Sequence, residues 1–200
     1  MKSYSFDEVN DDFDLAYFDT NVTHDAQKDG MIDMILKATA VLKDAWKGEE
    51  DGDMMVFASP WSPPSWMKAV WSKEDFEAGL EHASGMNGSA QPTCLREGTG
   101  KDSRYARAWA KYMSKFVSAY KNHGVSLDAV TVQNEPEFPA PWEACAYTPE
   151  TQAEFIAYHL GPQLKRDHPD VSIYMFDHNK VRRCRLERQR LQSISSHQPY

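Results

Sequence analysis

Apolar positions along the chain alternate between helical spacing and short continuous runs. From Met31 to Trp46, the side chains of Ile32, Ile35, Leu36, Leu42 and Trp46 keep a 3.6-residue period, which predicts an amphipathic helix with Asp29 as its cap. After the polar turn KGEEDGD, the run MMVFASP at residues 54–60 is apolar and ends on proline, the mark of a short buried strand. Tyr105, Ala108, Trp109, Tyr112, Phe116, Ala119 and Tyr120 share one face of a second helix, and Gly124 supplies its stop. A strand follows at 127–133, in which Ala129, Val130 and Val132 suit burial on both faces. Thr148 as cap and Pro149 at the first helical position open a third helix, with Phe155, Ile156, Leu160 and Leu164 facing inward. VSIYMFDHN at 171–179 reads as a third strand. Helix and strand alternate three times without an internal repeat, so the predicted class is α/β with a parallel sheet and right-handed crossovers.

Two stretches depart from this rhythm. Residues 60–104 are rich in Gly, Pro, Ser and Trp and too long for an ordinary connector, which suggests a functional loop or disorder. Residues 181–200 show neither strand nor helix periodicity. They carry five Arg against one Glu, a local charge of +4 in a chain of net charge −8, leaving −12 on residues 1–180. We expect residues 1–180 to form one unit and 181–200 a disordered Arg-rich tail of other origin. A complete (β/α)8 barrel needs roughly 250 residues, and three strands in 200 residues predict only a fragment of such a TIM barrel.

Composition narrows the function. A 41% hydrophobic, 12% aromatic chain can bury a sizeable core, while its acidic balance disfavours nucleic acid as a partner. No run of ~20 apolar residues predicts a transmembrane segment, and the acidic N-terminus does not read as a signal peptide. Cys94, Cys145 and Cys184 form no C-x-x-C pair and signal neither a zinc site nor a disulfide framework, although one bridge remains open to them. Sequons stand at Asn21 and Asn87.

The strand ends carry the chemistry. Pro136 cannot donate to a ladder, so Glu135 falls at a strand's C-terminal lip, where parallel α/β folds place catalytic groups. The three strand ends bring Trp61 with Trp66, Asn134 with Glu135, and Asp177 with His178 and Asn179. Indoles stack on the C–H faces of pyranose rings, and amides and carboxylates pair with their hydroxyls. A glycosidic bond also needs a general acid at the leaving oxygen, for which Glu135 is best placed. Packing in the core is the alternative for the tryptophans, favoured for Trp66, Trp71 and Trp109 and evenly balanced for Trp61.

The blocks FASPWSPPSWMK (57–68), WAKYMSKFVSAYKNHGVSLDAVTVQNEP (109–136), PWEACAYTPE (141–150), HLGPQL (159–164) and MFDHNK (175–180) resemble consecutive motifs of glycoside hydrolase family 30, most of all its glucosylceramidase branch. The likeness runs from about Ser3 to Lys180. It implies a (β/α)8 barrel, of which this chain holds about strands 3 to 5 with their helices, and hydrolysis of a β-glucoside, typically glucosylceramide, without metal or cofactor. It further implies a lysosomal or secreted setting and, for a full-length enzyme, peripheral contact with membrane lipid. Glu135 matches the family's acid/base, Asn134 the amide at the sugar 2-hydroxyl, Trp61 the aromatic lining the glucose pocket and Asp177 a carboxylate ending the fifth strand. Trp142 falls in the loop bordering the aglycone. The family's nucleophile belongs to a later strand, and no block of this sequence resembles it, so the chain is expected to be inactive alone. Two alternatives stay open: a noncatalytic carbohydrate-binding remnant, and a family member acting on other β-glucans or xylan.

Overall fold

The computed structural model of the protein describes residues 4–46, 54–88 and 94–179. The strand predicted at 127–133 is its centre. β1 (Phe57–Ala58), β2 (Ala129–Thr131) and β3 (Ser172–Tyr174) form a parallel sheet in the order β1-β2-β3. β2 pairs on both edges and is buried throughout, as its unbroken Ala-Val-Thr-Val run requires. All three ladders are shorter than the apolar runs that predict them. Pairing nevertheless continues outside them, with the Asp128 N–H donating to the Val56 carbonyl at 2.8 Å and the Val132 N–H to that of Tyr174 at 3.1 Å.

Six α-helices are found among the described residues: α1 (Thr23–Ala26), α2 (Met31–Ala45), α3 (Lys73–Glu77), α4 (Arg104–Asn122), α5 (Pro149–Phe155) and α6 (Gly161–Asp167). The short α1 and α3 leave no periodic signal in the sequence. α2 starts as the spacing predicts, but Gly30 caps it rather than Asp29. Asp29 is in a left-handed conformation (φ 60°) and turns its N–H to the Asp33 carboxylate at 3.1 Å. Of the apolar positions on α2 only Ile32 is fully buried, while Leu36 and Trp46 are exposed. The period is real, but the described residues cover only part of that face.

α4 is the main crossover and the best-packed helix. The Ser103 hydroxyl accepts from the Ala106 N–H at 3.1 Å and donates to the Gly98 carbonyl at 2.8 Å, tying the cap to the preceding loop. Gly124, at φ 85°, ends it in the left-handed turn that lacks a Cβ penalty. Its predicted face is buried except for Phe116, which is partly so, and Ala106, Ala110, Met113 and Val117 are buried as well. α4 is thus enclosed on more than one side, and burying an aromatic such as Trp109 contributes about 1.5–3 kcal/mol.

The third predicted helix is broken. Thr148 and Thr151 form a reciprocal capping box with Pro149 in the first turn, and Phe155, Leu160 and Leu164 are buried. Between α5 and α6, however, residues Ile156–Leu160 widen into a π turn. Pro162 has no N–H and its ring crowds the carbonyl four residues back, which a local widening relieves. Gly161 makes this turn fit, since a Cβ there would lie 2.6 Å from the Ile156 carbonyl oxygen.

The long 60–104 segment is ordered over most of its described length. It holds a 3₁₀ turn at Ser65–Met67, α3, and an antiparallel bridge between Lys68 and Leu95. Trp66 and Trp109 are core residues as expected, whereas Trp71 is 44% exposed and lies against Gly88. Cys94 and Cys145 are joined in a disulfide with their Cα atoms 5.3 Å apart. The expected tail, 181–200, lies outside the described residues.

Candidate active site at the sheet's C-terminal edge

Two consecutive backbone amides splice the three strands together at their C-terminal ends. The Asn134 N–H donates to the Pro60 carbonyl after β1 at 2.9 Å, and the Glu135 N–H to the Asp177 carbonyl after β3 at 2.7 Å. Asn134 also bridges Asp177, in the same register in which Thr131 pairs Tyr174. The ladder is interrupted before the Asn134–Asp177 bridge, and the residues beside that bridge adopt left-handed backbone, Glu135 just after Asn134 at φ 46° and Phe176 just before Asp177 at φ 59°. For non-glycine residues this conformation costs about 1–2 kcal/mol each, and such strain gathers at functional sites. Its effect is to turn the chain sharply at Glu135 into a turn closed by the Phe138 N–H on the Glu135 carbonyl at 2.9 Å.

The polar side chains at this edge hold one another. Asn179 Nδ2 donates to Glu135 Oε1 at 2.8 Å, so an amide from β3's extension orients the carboxylate from β2's. Thr131 Oγ1 donates to Ser59 Oγ at 3.1 Å, and Ser59 Oγ donates to Asp177 Oδ2 at 2.5 Å. That relay runs from β2 through the end of β1 to the end of β3. Gln133 is buried, and its Nε2 donates to the Trp61 carbonyl at 2.6 Å, fixing the backbone on which the half-exposed Trp61 indole stands.

Trp61, Asn134, Glu135 and Asp177 therefore meet at one end of the sheet, as the strand-end reasoning anticipates. Trp142 comes from the loop beyond. It is 45% exposed, with its ring centroid 6.1 Å from that of Phe138 in an edge-on contact, and Phe138 closes the Glu135 turn. Sequence reasoning leaves out Ser59, Thr131 and Gln133, whose types carry no motif. The available signal is alternation: Thr131 and Gln133 occupy every second position of the run that leads from β2 to Glu135. Among the described residues no group of three or more His, Cys, Asp or Glu could hold a metal ion, and no helix is long and apolar enough to cross a membrane.

This arrangement gathers a carboxylate held by an amide, a second carboxylate held by a hydroxyl, the Asn134 amide and exposed indoles. Such a set can bind a pyranose and move a proton at its edge. Comparison with known proteins agrees with it. The family described as "Glycosyl hydrolase family 30 TIM-barrel domain" matches residues 1–192. The chain is 34% identical over 168 residues to "Putative glucosylceramidase 3" of Caenorhabditis elegans, covering 82% of this chain and 26% of that protein. It is 32% identical over 128 residues to "Endo-1,6-beta-D-glucanase neg1" of Aspergillus fumigatus, covering 64% and 25%. The crystal structure of SrfJ from Salmonella typhimurium superposes with a TM-score of 0.65 at 27% identity, covering 90% of this chain and 33% of that one. The chain thus spans about a quarter of the length of the curated relatives it matches. With a match over nearly its whole length and a three-stranded parallel sheet whose edge gathers the expected groups, the chain belongs to glycosyl hydrolase family 30 and carries part of its TIM barrel.

Proposed function

We propose that this chain supplies the acid/base side of a retaining β-glucosidase of the glucosylceramidase type. The observation that carries the reading is the splice at the sheet edge, which turns the Glu135 carboxylate out beside Asp177 and Asn134 and holds it with the Asn179 amide. In this reading Glu135 protonates the glycosidic oxygen as the bond breaks, then takes a proton from the water that releases the sugar. Asn134 holds the 2-hydroxyl, Trp61 stacks on the glucose ring, Asp177 accepts from a sugar hydroxyl, and Trp142 borders the aglycone. The attacking carboxylate, which a retaining mechanism needs about 5–5.5 Å from the acid, comes from another part of a complete barrel.

Glucosylceramide is the favoured substrate because the chain is 34% identical to the worm glucosylceramidase over 82% of its length, against 28–32% for fungal endo-1,6-glucanases, whose matches cover up to 88% of it. A β-1,6-glucan is the second reading. The exposed pair of Phe138 and Trp142 would serve a second sugar ring as well as a lipid. An active family member in which residues 4–179 of this chain replace the matching segment decides between them. Preference for glucosylceramide over a β-1,6-glucan supports the first reading. Preference for the glucan overturns it.

A further inference from the structure

Lys68 is fully buried, yet its nearest polar partners are carbonyls rather than a carboxylate. Its Nζ donates to the carbonyls of Met86 at 2.6 Å, Gly88 at 2.9 Å and Ala144 at 2.8 Å, with that of Asn87 more distant at 3.4 Å. An ammonium has three N–H donors, and three short acceptors from two separate loops match them one for one. Burial draws the group down to about 7, and the Glu143 carboxylate opposes that shift. Taking a lysine out of water costs several kcal/mol, so a buried one stapling two loops is not a neutral feature of the packing.

The two loops it staples are bound to each other next to Trp142. The Gly88 N–H donates to the Trp142 carbonyl at 2.8 Å, and the Ala144 N–H to the Met86 carbonyl at 3.2 Å. Gly88 is at φ 65°, and a Cβ there would lie 2.1 Å from the Trp71 ring, so this strip admits only glycine beneath that indole. Three residues after Trp142, Cys145 is bonded to Cys94. Cys94 and Lys68 belong to the same antiparallel pair, in which the Ala69 N–H donates to the Cys94 carbonyl at 2.8 Å and the Arg96 N–H to that of Met67 at 2.9 Å. One platform therefore sends two arms, an ammonium and a disulfide, to residues 144 and 145.

We propose that Lys68 and the Cys94–Cys145 bridge are positioning residues that mount Trp142 as a preset aromatic wall on the acceptor side of the sugar site, fixing from below the loop that leaves the Glu135 turn. The assignment of Trp142 to the acceptor side rests on the function proposed above; the mount itself does not. A preset wall removes the ordering cost that a free tryptophan would incur on binding.

The test uses the 200-residue chain labelled with 5-fluorotryptophan, its six tryptophan signals assigned by single Trp→Phe variants. Fluorine line widths are compared for the native chain, for Cys94→Ser with Cys145→Ser, and for Lys68→Met. The proposal expects the Trp142 signal to change width by about two-fold or more while those of Trp61, Trp66 and Trp109 hold. Should Lys68→Met fail to fold, the double serine variant and a phosphine-reduced native chain carry the test. An unchanged Trp142 signal in the reduced chain and the double variant overturns the mount. So does a change shared by all four signals, because the bridge would then act on the whole fold. Titrating an aryl β-glucoside into the labelled native chain asks the separate question: a Trp142 signal that never moves removes its acceptor-side role, while the line widths still decide the mount.

Discussion

Replacing Ser59 by alanine should damage this protein more than replacing Thr131 by valine, although both changes cut the same hydroxyl relay. Ser59 Oγ donates to Asp177 Oδ2 at 2.5 Å and accepts from Thr131 Oγ1 at 3.1 Å. A hydrogen bond to a charged group contributes about 1.5–3 kcal/mol, and stranding a buried hydroxyl costs about 1–3 kcal/mol. Ser59→Ala removes the first and strands Thr131, which is 2% exposed. Asp177 is only partly buried, so water can replace part of its loss and the combined cost falls near 2–3 kcal/mol. Thr131→Val keeps the shape, leaves the Ser59–Asp177 bond intact and orphans nothing, for a cost under about 1.5 kcal/mol. Urea unfolding followed by circular dichroism separates them: with a slope of about 2 kcal/mol/M, Ser59→Ala should lower the midpoint by about 1–1.5 M and Thr131→Val by less than half of that. Equal shifts, or a larger shift for Thr131→Val, would refute the relay as the support of Asp177.

Further expectations follow from single features. Opening the Cys94–Cys145 bridge, which spans 51 residues, should cost about 4 kcal/mol on loop-entropy grounds, read as a lower urea midpoint under reductant; an unchanged midpoint would count against it. Burial, aided by the neighbouring Asp12 carboxylate and opposed by the Val9 amide, raises Asp7 from 3.8 to about 6. The folded chain then holds more protons than the unfolded one in that window, so its contribution is complete below about pH 4 and lost as pH rises through about 6. Asp7→Asn should flatten stability across pH 4–7, and an unaltered profile would rule this out. Gly161→Ala drives a Cβ toward the Ile156 carbonyl 2.6 Å away and should lower stability by about 1–3 kcal/mol in thermal unfolding, with the loss of π geometry visible as altered amide exchange at 156–161.

The sheet and the main helices are legible in the sequence because each rests on a local rule. A buried central strand must be apolar throughout, Thr148-Pro149 must open a helix, and Gly124 must close one. The placement of the candidate site residues is legible for a topological reason, since parallel strands present their C-terminal ends together and Trp61, Asn134, Glu135 and Asp177 each follow one. What escapes depends on partners distant in sequence. Asp29 loses its capping role because Gly30 takes the position. The π turn arises where a helix must pass Pro162 without ending. Lys68 reads as a surface lysine until the carbonyls of residues 86–88 and 144 surround it. The Cys94–Cys145 pairing cannot be chosen among three cysteines by spacing alone.

The role of Glu135 is tested most directly by Glu135→Gln in the active chimera carrying residues 4–179. The amide keeps the shape and the contact with Asn179 but has no proton to give. Hydrolysis of a substrate with a poor leaving group, such as glucosylceramide, should fall by about 10²- to 10⁴-fold. An activated aryl β-glucoside should suffer less in the bond-breaking step, and added azide should restore its turnover as a β-glucosyl azide, because that anion attacks the glycosyl-enzyme without a general base. Undiminished hydrolysis of glucosylceramide by Glu135→Gln, or an equal loss for both substrates with no azide product, would contradict the assignment.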